Sequence, residues 1–67
     1  MKYKVKFYNP TQVFIVKADH YKDILENFEE LNSEFYTQDI RNYGRIIKAN
    51  VYDCNDNIID KIKITKQ

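Results

Sequence analysis

Residues 1–8 alternate without a break, with Tyr3, Val5 and Phe7 on one side and Lys2, Lys4, Lys6 and Tyr8 on the other. A period of two in β-forming residues predicts a strand with one buried and one solvated face. Asn9-Pro10-Thr11 reads as a turn. A second strand is expected over residues 12–17. There Val13-Phe14-Ile15-Val16 is apolar on both faces, a pattern usual for a central strand or one whose outer face is covered.

The period then changes. Asp19 suits an N-cap, and Tyr21, Ile24, Leu25, Phe28 and Leu31 follow at i, i+3, i+4, i+7 and i+10, the apolar stripe of a helix over residues 19–31. Residues 32–44 fit two descriptions. Tyr36, Ile40 and Tyr43 have helical spacing, Ser33 can cap and Gly44 can end, while the same residues suit an extended segment. The expectation here is a short second helix. Alternation returns over residues 45–53, with Ile47, Ala49 and Val51 against Ile46, Lys48, Asn50 and Tyr52. Cys54-Asn55-Asp56-Asn57 tolerates left-handed backbone and predicts a turn. The last strand, residues 58–65, sets Ile58, Ile62 and Ile64 against Ile59, Lys61, Lys63 and Thr65.

The fold class that follows is a single α+β domain over residues 1–67, in the order β-β-α-(short α)-β-β. Two hairpins form a four-stranded antiparallel sheet, and the main helix packs on one face because nothing else in the chain can cover its stripe. A chain of 67 residues buries only roughly 60% of its unfolded surface. That leaves room for one layer of helix on one sheet and little for a deep catalytic cleft.

Charge adds a second dimension. The formal net charge of +1 hides a strong sorting. Lys2, Lys4, Lys6 and Lys17 precede any acid. Asp19, Asp23, Glu26, Glu29, Glu30, Glu34 and Asp39 then face one Lys22, and Arg41, Arg45 and Lys48 return before Asp53. On the expected fold the open sheet face carries Lys2, Lys4, Lys6, Lys48, Lys61 and Lys63 with Tyr8, Val13, Ile15, Ile46, Tyr52 and Ile59. The helix side is acidic. Such asymmetry bears on partners more than on fold.

Two surfaces are therefore candidate sites. Asp19, Asp23, Glu26 and Glu30, spaced four, three and four, form one carboxylate stripe whose i, i+4 pairs each cost the helix about 0.2–0.5 kcal/mol. A retained row of this kind suits the basic groove of a protein partner, against the plainer reading of a solvated face. The alternative site is the basic sheet face. There Lys2, Lys4, Lys6, Lys48, Lys61 and Lys63 can hold phosphates while Tyr8 and Tyr52 stack bases, against the plainer reading of Lys as edge protection. The sparse Arg and near-neutral total weigh against a dedicated nucleic-acid binder. The apolar residues of that same face suggest self-association into a homodimer through it.

No catalytic constellation emerges. His20 has Asp19 and Asp23 near it but no nucleophile, and Cys54 sits among acids, which disfavour a thiolate. One Cys and one His cannot build a structural zinc site. Residues 53–57 lack the Gly and closing Glu of a calcium loop, and a lone Gly44 excludes a phosphate-cradling loop. No cofactor is expected. A lone Cys and the absence of a continuous apolar run point to a reducing, cytoplasmic setting with no membrane segment. Abundant Lys, Asn, Ile and Tyr with few Gly and Ala fit AT-rich coding DNA, as in a low-GC bacterium or its phage or plasmid. The expectation is a non-enzymatic macromolecular-binding protein, of the kind by which phages and mobile elements occlude a host nucleic-acid enzyme or defence protein. The alternative is a small nucleic-acid-binding module.

Overall fold

A computed structural model describes residues 1–67. Its elements are β1 (Lys2–Tyr8), β2 (Thr11–Lys17), α1 (Tyr21–Leu31), β3 (Phe35–Asn42), β4 (Ile46–Asp53) and β5 (Ile58–Lys66). The five strands form one sheet in the order β2-β1-β5-β4-β3, and every neighbouring pair is antiparallel. The architecture is therefore α+β with one helix and five strands, where four strands and a second helix were expected.

The difference lies in residues 35–42. Phe35 and Thr37 turn toward the helix, and Tyr36 and Gln38 turn away, as an alternating strand requires. A β-bulge between Gln38 and Arg41 then resets the register, with Asp39 in the left-handed region at φ 57°. The inserted residue breaks the period of two in the middle of the strand. What remains is the coincidental spacing of Tyr36, Ile40 and Tyr43, which imitates a helix.

The two edge strands, β2 and β3, are joined only by α1, so the helix must cross the inner face from edge to edge. Eleven helical residues span about 16 Å, and five strands span about 19 Å, so the helix is just long enough. It begins one residue later than a cap at Asp19 implies. His20 is the N-cap, and its Nδ1 accepts a hydrogen bond from the Lys22 amide at 3.2 Å. Asp19 lies outside the helix. At the far end Glu29 accepts from the Thr37 amide and hydroxyl, both at 3.2 Å, fastening α1 to β3.

The core lies between α1 and the three central strands. Tyr3 and Val5 of β1, Ile47, Ala49 and Val51 of β4, and Ile62 and Ile64 of β5 are buried with Tyr21 and Leu25 of α1. The alternation expected for β1 and β4 holds. On β5 a second irregularity, between Val51 and Tyr52, pairs Tyr52 with Ile58. Ile58 is consequently exposed, while Ile59 packs against the core, the reverse of the expected assignment. β2 is neither central nor covered, the two alternatives its pattern offered: it is an edge strand, and Val13, Phe14 and Ile15 are all exposed.

Candidate functional site

Because α1 covers only one face, the other face of the sheet is open, and the strand register decides what it presents. Lys6 on β1 lies opposite Lys63 on β5. Lys63 lies opposite Lys48 on β4, and Lys48 lies opposite Arg41 on β3. Four adjacent strands thus set four cations in one straight row across the sheet, about 14 Å from end to end. Like charges directly opposite one another destabilise a sheet. Lys6 and Lys63 are half-buried, and Lys48 and Arg41 are exposed.

Aromatic rings flank the row. The Lys6 Nζ sits 4.8 Å from the centroid of the Tyr8 ring, and the Lys48 Nζ sits 6.0 Å from that of Tyr43. These are cation–π distances, and they hold two ammonium groups close to the sheet. A concavity of about 850 Å3 lies over this region, lined among others by Tyr8, Arg41, Tyr43, Lys48, Lys61 and Lys63. Lys61 follows in the next rung opposite Asn50. Lys2 and Lys4 lie on the same face toward the other end of β1, Lys4 opposite Thr65 and Ile15.

Two carboxylates border the concavity, and both are engaged. Asp60 Oδ1 accepts from the amides of Tyr8 at 2.9 Å, Asn9 at 3.0 Å and Lys61 at 2.7 Å. Asp39, projected by its bulge, accepts from the Tyr52 hydroxyl and from Asn50 Nδ2 at 3.0 Å. The Tyr52 hydroxyl, then Asn50, holds the Asp39 carboxyl below the usual carboxylate range. The same bond to Asp39 pushes the Tyr52 phenol up.

Tyr52 stacks on Tyr36, centroids 5.2 Å apart and planes 12° from parallel. The Tyr36 hydroxyl donates to Asp56 at 2.5 Å, and that bond pushes its phenol up to about 12. Asp56 is held in the β4–β5 turn by Asp53, which accepts from the amides of Asn55 and Asn57 and is itself lowered, chiefly by Asn57. The expected turn at residues 54–57 is therefore present, and its side chains buttress one end of the aromatic pair.

The register thus gathers Lys6, Tyr8, Lys48, Tyr52, Lys61 and Lys63 onto one open face, with Lys2 and Lys4 beside them. Arg41, Tyr36 and Tyr43 join them although the sequence did not point to them, because all three fall in the segment read as helical. The acidic set is gathered less completely. Asp23, Glu26 and Glu30 are exposed on α1, and Asp19 is exposed in the loop before it. The chemistry-bearing pair is separated. His20 is occupied in capping α1, at the end of the sheet where β2 finishes, and Cys54 is exposed in the β4–β5 turn at the opposite end. No three His, Cys, Asp or Glu side chains converge as metal ligands. No helix is long and apolar enough to cross a membrane.

Comparison of the chain with protein-family models, curated proteins and solved structures returned no match.

Proposed function

We propose that this protein is a non-enzymatic binding protein whose open sheet face holds a single-stranded nucleic acid. One observation carries the reading: the row Lys6–Lys63–Lys48–Arg41, in which each cation directly faces the next. A sheet gains nothing from such a row alone, whereas an anionic chain laid across it neutralises all four charges. Tyr8 and Tyr43 beside the row offer ring faces on which bases stack, an interaction tolerant of sequence. Binding of this kind releases counterions, and four neutralised phosphates on a single strand give a slope of log K against log salt of about −3. A fluorescence-anisotropy titration of a labelled oligothymidylate across a salt series measures that slope. The double variant Lys48→Glu/Lys63→Glu is expected to abolish binding, and tight binding indifferent to salt would contradict the proposal.

A second reading keeps the protein partner and the acidic helix. It is supported by Asp23, Glu26 and Glu30, three exposed carboxylates on one 11-residue helix. Charge reversal there acts mainly on the rate of association with a basic partner. With Asp19 outside the helix the stripe is shorter than its spacing suggests, so the sheet face ranks first. Occlusion of a host enzyme by a phage or mobile-element protein belongs to this second reading and rests on composition alone.

A further inference from the structure

We propose that the free edge of β2 pairs with the β2 edge of a second copy of this chain, in an antiparallel register centred on Phe14. The first observation is the direction of the backbone groups. The Ala18 amide donates to the Met1 carbonyl, while the Gln67 amide donates to the Lys2 carbonyl. Met1, Tyr3, Val5 and Phe7 therefore direct their backbone groups at β2, and Lys2, Lys4 and Lys6 direct theirs at β5. It follows from the β1–β2 register that Gln12, Phe14 and Val16 face β1. The amides and carbonyls of Thr11, Val13, Ile15 and Lys17 face outward, without a strand beside them.

The second observation is the kind of side chain this edge carries. Val13 is 49% exposed, Phe14 47% and Ile15 61%, and they lie on both faces of the sheet, Phe14 on the helix side and the other two on the open side. A partner resting on either face covers only one set. A strand added at the edge covers both. Natural edge strands are blunted by charge, Pro or bulges. β3, the other edge, has a bulge with Asp39 and Arg41, whereas β2 has no charge before Lys17.

The third observation is an apolar groove of about 700 Å3 beside this edge, between α1 and the β1–β2 hairpin, lined by Phe7, Phe14, Val16, Ile24, Phe28 and Leu31 among others. It exists because one diagonal helix leaves a corner of the inner face bare.

A second copy fits the edge better than an unspecified strand because β2 is complementary to itself. About Phe14, Val13 meets Ile15 of the second copy, Ile15 meets its Val13, Gln12 meets Val16, and Lys17 meets Thr11. No like charges oppose, all seven residues are used, and the four outward-facing residues of each copy meet outward-facing residues of the other. Phe14 meets its own counterpart at the mouth of the groove. The two-fold axis stands perpendicular to the sheet, so both cationic faces lie on the same side of a ten-stranded sheet.

Sedimentation velocity over a micromolar-to-millimolar series tests this on the intact chain, with hydrogen exchange read in parallel. The expected result is a concentration-dependent dimer in which the amides of Val13 and Ile15 become protected as it forms. The double variant Val13→Lys/Ile15→Lys sets like charges opposite each other at both central rungs and should remain monomeric. Val13→Pro removes only an outward-facing amide and should do the same, each with an unchanged far-UV spectrum. A wild-type chain that stays monomeric throughout overturns the proposal. So does a dimer that forms equally in both variants, or one that leaves the Val13 and Ile15 amides unprotected.

Discussion

Lys63 faces Lys48 directly across the β4–β5 ladder, and Lys6 faces Lys63 from the other side. One side chain is thus flanked by two like charges at the centre of the sheet. Lys63→Met keeps the length of the stem and removes the charge. It should raise stability by relieving two opposed like-charge pairs, a gain on the order of 1 kcal/mol by comparison with favourable cross-strand pairs, measured by urea unfolding at low ionic strength. The gain should shrink with added salt, and oligonucleotide affinity should fall. A variant that loses both stability and affinity would show that the row serves packing instead.

Leu25 is the helix residue most deeply set against the sheet, whereas Phe28 is half-buried and packs on Phe7 with ring centroids 5.4 Å apart. Leu25→Ala is expected to cost about 2–5 kcal/mol, and Phe28→Ala less than the roughly 3–5 kcal/mol of a fully buried Phe. Either is a large share of the roughly 3–10 kcal/mol available to a domain of this size. Urea midpoints of the two variants give the order.

Asp39 and Asp53 both have folded-state carboxyl pKa values below the usual range. A depressed folded pKa contributes stability that is present above the unfolded value of about 4 and is lost as pH falls through the folded one. Stability should therefore decline below about pH 4. Asp39→Asn, which can no longer ionise, should flatten part of that decline in thermal melts recorded across the acid range.

Tyr36 behaves in the opposite sense. Its phenol is raised to about 12 by the hydrogen bond to Asp56, so its contribution is complete below the unfolded value near 10 and is lost as pH rises through about 12. An ultraviolet titration of phenolate should show a late-ionising group that Tyr36→Phe removes, and Asp56→Asn should bring that ionisation to lower pH.

Much of this arrangement was legible in the chain. The alternation of residues 1–8 and 45–53 assigns Tyr3, Val5, Ile47, Ala49 and Val51 to the core, and the helical stripe assigns Tyr21 and Leu25. The cationic character of the open face follows from the same alternation. Two bulges hid the rest. The one at Asp39 disguised a strand as a helix and concealed Arg41 as the end of the row. The one beside Tyr52 exchanged the roles of Ile58 and Ile59. The row itself was not legible, because it depends on which strands become neighbours. β1 lies beside β5, the first strand against the last, and no local pattern announces a contact of that range. The edge position of β2 was not legible for the same reason: residues apolar on both faces mimic a central strand, and only the pairing of β1 with β5 leaves β2 outermost.

The open sheet face is the proposed ligand surface, and a map of amide chemical-shift changes on adding an oligothymidylate at low salt tests it most directly. A nucleic acid on that face should give the largest changes at Lys6, Lys63, Lys48 and Arg41, extending to Tyr8 and Tyr43, with Asp23, Glu26 and Glu30 on α1 unmoved. Changes confined to α1, or no change at any amide, would contradict the proposal.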